Sequence, residues 1–208
     1  MFNAQLNNKQ ISDKFIKNDS KMLNQVYGTD DLVPYWIADM EFPIAPVISN
    51  AMQNLVHRET YSYEFDSQTV FNSIASWSNQ RHQLELNPEH FVQVPGVLSA
   101  IALLIREFSE MGDGVLIQTP VYHQFRRLIE SAGRTVVNNP LKVENGRYEL
   151  DLEGFENQLK QGKVKIVLLC NPHNPVGRVW SDKRHLLPSA ALLRTVRATF
   201  TAYGSSLH

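Results

Sequence analysis

Apolar positions along this chain follow two periods. Near the start the spacing is helical. Val47, Ile48, Met52, Leu55 and Val56 recur every three or four residues and predict a helix over 45–57. Val70, Phe71, Ile74 and Trp77 predict a second over 68–81. From residue 91 onward short apolar runs alternate with helical stretches. Phe91-Val92-Gln93-Val94, 115–117, 135–137 and 165–170 read as strands; 98–111, 121–132 and 152–160 read as helices. In the helix over 98–111 the inward positions are Ile101, Leu104, Ile105 and Phe108. The run Lys165-Ile166-Val167-Leu168-Leu169-Cys170 is apolar without alternation, as in a strand covered on both faces. This rhythm predicts an α/β fold with a mostly parallel sheet flanked by helices.

The flanks read differently. Residues 1–27 are rich in Asn, Lys and Gln and carry one short helix. Residues 33–43 hold two prolines among aromatics, which suits an ordered loop with an extended piece. From 181 to 208 the only acidic residue is Asp182. There Leu186, Ala190, Leu193 and Val196 form a helical stripe interrupted by Pro188, and no further strand is expected.

Composition narrows the function classes. The 208 residues carry 20 Lys+Arg against 21 Asp+Glu, so a net charge of −1 gives no footprint for a nucleic-acid backbone. A hydrophobic fraction of 43% with 20% charged residues supports a packed core rather than a disordered chain. Cys170 alone makes neither an internal disulfide nor a multi-cysteine metal cage. The acidic residues show no spacing that suggests a carboxylate dyad or a metal site. No run is long and apolar enough to span a bilayer, and residues 1–14 lack an apolar signal core, so a cytoplasmic location is expected.

In an open parallel sheet, ligands bind beyond the carboxyl ends of the strands. Three loops occupy such places. Asn171-Pro172-His173-Asn174-Pro175-Val176-Gly177 follows the strongest strand, and its prolines can hold the Asn174 amide in one orientation, either for a ligand or as a helix cap. Val94-Pro95-Gly96-Val97-Leu98-Ser99 ends in a helix N-terminus, where free amide groups suit a phosphate, although many such joins bind nothing. Gln118-Thr119-Pro120-Val121-Tyr122 puts an aromatic ring after a strand, to stack on a ligand or simply to pack. His173 is read as a partly exposed loop residue rather than a catalytic one, and Cys170 as packing rather than a nucleophile.

Together, and in this order, the three loops resemble the fold-type I pyridoxal-phosphate enzymes, the aminotransferase class I/II superfamily. The Asn-Pro-His-Asn-Pro-Val-Gly run followed by Val179-Trp180 is the most specific element. Trp36-Ile37-Ala38-Asp39-Met40-Glu41-Phe42, Ala45-Pro46 and Tyr61-Ser62-Tyr63 are similar to the cystathionine β-lyase-like branch. The likeness covers residues 27–180, about the first half of a family chain. It implies an incomplete transferase-like large domain over 45–180, a 1–44 arm with the substrate-entrance loop, and an atypical tail over 181–208. It also implies pyridoxal 5′-phosphate as cofactor. Asn174 would then hydrogen-bond the cofactor's phenolic oxygen, Tyr122 would stack on its ring, and the backbone of Val97 and Leu98 would hold its phosphate. Tyr63 would reach the phosphate in the neighbouring subunit of a homodimer. Trp36 and Asp39 would border the substrate entrance.

The same resemblance implies a Schiff-base lysine, an acidic partner for the pyridinium nitrogen and an arginine for the substrate carboxylate, all beyond the Asn-Pro loop. Lys183 and Asp182 match none of those motifs. The expectation is a chain truncated before its catalytic lysine, with residues 181–208 arising from a frameshift or a shortened gene copy. An open sheet edge and poor solubility are expected of such a product. The parent activity is a carbon–sulfur β-elimination on cystathionine or a cysteine conjugate. Aminotransfer is the alternative, since the early steps are shared, and a non-catalytic fragment that binds cofactor or pairs with another subunit is a third. An α/β domain whose three loops match by coincidence is the bland reading.

Overall fold

The computed structural model describes residues 15–39, 42–63, 67–180 and 198–202. By contact the chain divides into two units, Met1–Leu86 and Asn87–His208. The boundaries expected from the sequence fall elsewhere, after residues 44 and 180.

The first unit is helical. A 3-10 turn at Ile16–Asn18 leads into α1 (Ser20–Tyr27). Asp19 starts that helix by accepting from the Met22 amide, and Gly28 ends it at φ 75°, in the left-handed region a side chain would resist. Helix α2 (Pro46–His57) opens with proline at its first position, where no amide hydrogen is needed, and α3 spans Ser67–His82. Leu23 of α1 is buried, whereas α2 buries no residue.

The second unit carries the sheet. Helix α4 (Val97–Phe108) precedes β1 (Gly114–Ile117), α5 (Gln124–Ser131) and β2 (Thr135–Asn138). A two-stranded antiparallel ribbon follows, β3 (Lys142–Glu144) and β4 (Arg147–Glu149). Next come α6 (Leu152–Lys160), β5 (Val164–Cys170) and β6 (Ala198–Ala202). The main sheet has the order β2-β1-β5-β6 and every pairing in it is parallel. At its foot Gly114 is required by close approach: a Cβ there would lie 2.7 Å from the Lys163 carbonyl oxygen and 2.9 Å from Val137 Cγ2.

Strand alternation splits the core into two layers. Val115, Ile117, Ile166, Leu168 and Cys170 pack with Ile101 and Ile105 of α4 and Phe125 and Ile129 of α5. On the other face Leu116, Val164 and Val167 pack with Phe155 and Leu159 of α6. Helices thus cover both faces, and the apolar β5 run is buried as its sequence implied.

Several expectations are corrected. Phe91–Val94 is extended at its start but belongs to no described strand: it sits between a 3-10 turn at Pro88–His90, whose Pro88 carbonyl takes the Phe91 amide, and Pro95. Helix α5 begins at Gln124, not at 121, because Val121 and Tyr122 pack against the core layer ahead of it. In α4 the buried positions are Ile101 and Ile105, while Leu104 is half-buried and Phe108 exposed. A strand does follow β5. Ala-Thr-Phe-Thr-Ala alternates, and its Thr and Phe favour strand, so β6 pairs with the β5 edge expected to lie open. The expected helical stripe from Leu186 to Val196 lies outside the described residues.

Candidate functional site

The carboxyl ends of β1 and β5 lie side by side because the two strands are parallel neighbours. Their loops carry Tyr122 and Asn174. Helix α4 packs against α5 and β5, and its Ile101 shares a core layer with Cys170 and Tyr122. It runs back toward the start of β1, so its N-terminus lies toward the same carboxyl edge.

At that N-terminus Gly96 holds φ 93° and ψ 158°, a conformation open to glycine. The first intrahelical bond runs from the Ala100 amide to the Gly96 carbonyl, and no side chain caps the turn. The amides of Val97 and Leu98 therefore keep free hydrogens at the positive end of the helix. Among the described residues, chain neighbours aside, nothing lies within 4 Å of where a Gly96 Cβ would be. Ser99 turns its hydroxyl back to the Pro95 carbonyl at 2.9 Å.

Tyr122 is half-buried. Its ring meets Phe125 edge-on at 5.8 Å and His123 at 5.0 Å. Packing therefore fixes the ring, whatever else it does.

The β5 loop is held from several sides. Its backbone closes on itself through His173 N–H to the Arg178 carbonyl and Gly177 N–H to the His173 carbonyl, both 2.7 Å. Asn171 Oδ1 accepts from the Trp180 amide, and the Trp180 indole donates to the Cys170 carbonyl. Trp180 packs with Leu141 and Leu169. The Arg178 guanidinium donates to the Tyr148 carbonyl and pairs with Glu149, tying the loop to the β3–β4 ribbon. Cys170 is buried and its thiol is pushed up by burial, as a packing cysteine should be. Its sulfur accepts from the Asn174 amide at 3.4 Å. Asn174 itself is exposed, and among the described residues its carboxamide has no hydrogen-bond partner. It caps no described helix.

His173 corrects the expectation of a partly exposed loop residue. Only 1% of it is exposed, its ring lies edge-on to Trp180 at 5.5 Å, and Nε2 lies 2.9 Å from the Pro120 carbonyl oxygen. A carbonyl only accepts, so Nε2 carries the hydrogen. Burial holds its pKa below the usual histidine value, against the pull of nearby carbonyls. Its Nδ1, and both amide atoms of the fully buried Gln118, have no hydrogen-bond partner among the described residues.

The remaining candidates belong to the first unit. Trp36 donates its indole hydrogen to the Lys17 carbonyl at 3.0 Å and meets the Tyr27 ring edge-on. Asp39 is exposed, and its carbonyl accepts from the Lys17 ammonium at 3.2 Å. Tyr63 is fully exposed. Met40 and Glu41 of the same motif lie outside the described residues. Among the described residues no group of three or more His, Cys, Asp or Glu could hold a metal ion, and no helix is long and apolar enough to cross a membrane.

This chain matches a family model described as aminotransferase class I and II over residues 43–186. It is 36% identical over 157 residues to the cystathionine beta-lyase PatB of Bacillus subtilis, covering 76% of this chain and 41% of that protein. Protein MalY of Escherichia coli is 35% identical over 156 residues, covering 74% of this chain and 40% of that one. Among solved structures, cystalysin from Treponema denticola, which contains a pyridoxal 5′-phosphate cofactor, superposes with a TM-score of 0.79 at 28% identity. The match covers 92% of this chain and 49% of that one. The chain thus spans about two fifths of the length of the curated relatives it matches.

Proposed function

Because the chain belongs to the aminotransferase class I and II family, we propose that it forms the cofactor-holding part of a pyridoxal-phosphate-dependent carbon–sulfur β-lyase. The substrate class is cystathionine or a related cysteine conjugate, and the setting is a cytoplasmic homodimer. The observation that carries this reading is the free Asn174 carboxamide beside the Tyr122 loop, on the edge toward which the uncapped start of α4 faces. The chain's similarity to the cystathionine beta-lyase PatB supports the lyase over aminotransfer.

The residues fit that cofactor chemically. A dianionic phosphate suits the free Val97 and Leu98 amides and the open space over Gly96. The exposed Asn174 carboxamide would donate to a phenolate oxygen, which favours the ionised form. Tyr122, fixed by Phe125, offers a ring for stacking. When bound, the cofactor would supply an electron sink for the substrate carbanion. Tyr63 is exposed as a residue reaching a neighbouring subunit's phosphate must be, and Trp36 and Asp39 border the substrate entrance in this reading. Within these 208 residues the reading is tested through cofactor binding.

Titrating the purified chain with pyridoxal 5′-phosphate tests the reading. Asn174→Ala removes one hydrogen bond to a charged acceptor and should weaken binding about tenfold or more. Equal affinity in the mutant would remove Asn174 from the site. Release of a thiol from cystathionine by the chain alone would overturn the non-catalytic expectation.

A further inference from the structure

Two loops must keep a fixed register for this site to exist, and among the described residues the His173 side chain hydrogen-bonds from one to the other. The Tyr122 loop and the Asn174 loop are 53 residues apart at their point of contact, the 2.9 Å bond from His173 Nε2 to the Pro120 carbonyl. His173 precedes Asn174 directly, and Pro120 lies two residues before Tyr122. We propose that His173 is a positioning residue, a buried tether that sets the Asn174 amide against the Tyr122 ring for a pyridoxal-phosphate ligand. The proposal rests on the cofactor reading above.

Three observations support a built tether rather than a chance contact. The ring is almost wholly buried and edge-on to Trp180, so its orientation is fixed. The backbone of the same residue is locked on both sides, by the bonds with Arg178 and Gly177. The Pro120 carbonyl receives its hydrogen from the imidazole, a partner the loop's own backbone does not supply.

The donor, not the ring volume, is the functional part. A glutamine reaches about as far and presents an N–H where Nε2–H stands; a phenylalanine fills the space and donates nothing. The experiment compares the full 208-residue chain with its His173→Phe and His173→Gln variants, below the unfolding transition of all three. Two quantities are read: amide hydrogen exchange in residues 118–123 and 171–178, and affinity for pyridoxal 5′-phosphate. The expected result is faster exchange in both loops for H173F, with β1 and β5 still protected, and about tenfold weaker cofactor binding. H173Q should restore both to within about twofold. Unchanged exchange in H173F overturns the tether whatever the cofactor does. Loosened loops with unchanged affinity overturn the positioning role. Equal losses in H173Q and H173F show that shape, not the donor, matters, and overturn it too. If the unsubstituted chain binds no cofactor, the cofactor reading and the positioning role both fall, while the exchange data still decide the tether.

Discussion

Helices α2 and α4 are each 12 residues long and each carries apolar residues at helical spacing, yet they end in opposite situations. In α4, Ile101 and Ile105 point one turn apart into the layer formed by β1, β5 and α5, and Ile105 is 0% exposed. In α2 nothing is buried: Met52 is 58% exposed and Val47 74%. Periodicity states what a helix can bury, and only a facing element decides whether it does. The candidate cofactor contacts that the sequence placed after strands sit in the unit where burial succeeds.

The comparison breaks most visibly by truncating one side chain from each helix. Ile105→Ala leaves a cavity between α4 and two strands and should destabilise by about 2–5 kcal/mol. Met52→Ala removes an already exposed side chain and should change stability by no more than about 0.5 kcal/mol. Urea midpoints for the two variants check this. Equal shifts would mean that α2 packs into a core as firmly as α4 does.

A smaller effect separates the helix ends. Helix α4 closes on Arg134, whose guanidinium donates to the Ser109 hydroxyl and to the carbonyls of Ser109 and Ala132. Those groups lie at the α4 terminus and in the turn before β2. Arg134→Ala should cost about 1–3 kcal/mol, since partly buried carbonyls lose charged donors. At the end of α2, the exposed Arg58 donates to the Thr60 carbonyl at 2.8 Å. A solvent-exposed side chain contributes less, so Arg58→Ala should cost less than Arg134→Ala.

How much was legible follows the same division. Helix α6 has the expected limits, because Asp151 accepts from the Gly154 amide and so caps a clear apolar stripe. The β5 run was plain because burial on both faces removes alternation. The β3–β4 ribbon was missed although its signal is strong: Asn145-Gly146 joins the two strands with both residues at positive φ, 50° and 74°. Strand β6 was missed because a Ser/Thr/Ala-rich context hid five alternating residues. Of the site, the Asn174 and Tyr122 loops were found from strand ends and prolines. The burial of His173 was not, because loop composition says nothing about which way a side chain faces until its partner, here Pro120, is in place. Trp36, Asp39 and Tyr63 were readable only through resemblance.

The most graded test of the difference uses pH. The groups facing His173 are the Trp180 ring and the carbonyls of Pro120, Gln118 and Cys170, and among the described residues no charged side chain shifts it. Its folded pKa lies below the ordinary value of 6.5. Below pH 6.5 the unfolded chain therefore takes up a proton that the folded chain refuses, and stability must fall as pH falls. Above pH 6.5 the contribution is complete. Asp151 behaves in the same sense but in a lower window. The Lys142 ammonium first, and the Gly154 amide second, hold its carboxyl below the usual value of 3.8, so its share is lost only as pH falls beneath that. Between about pH 7 and 5 the difference in urea midpoint between the unsubstituted chain and His173→Gln thus isolates the imidazole. The unsubstituted chain should lose stability relative to the variant as the solution is acidified, by less than the Ile105 truncation costs. Parallel pH profiles would mean that the ring accepts a proton without leaving its place, and that α4's unit tolerates a buried charge where the geometry says it cannot.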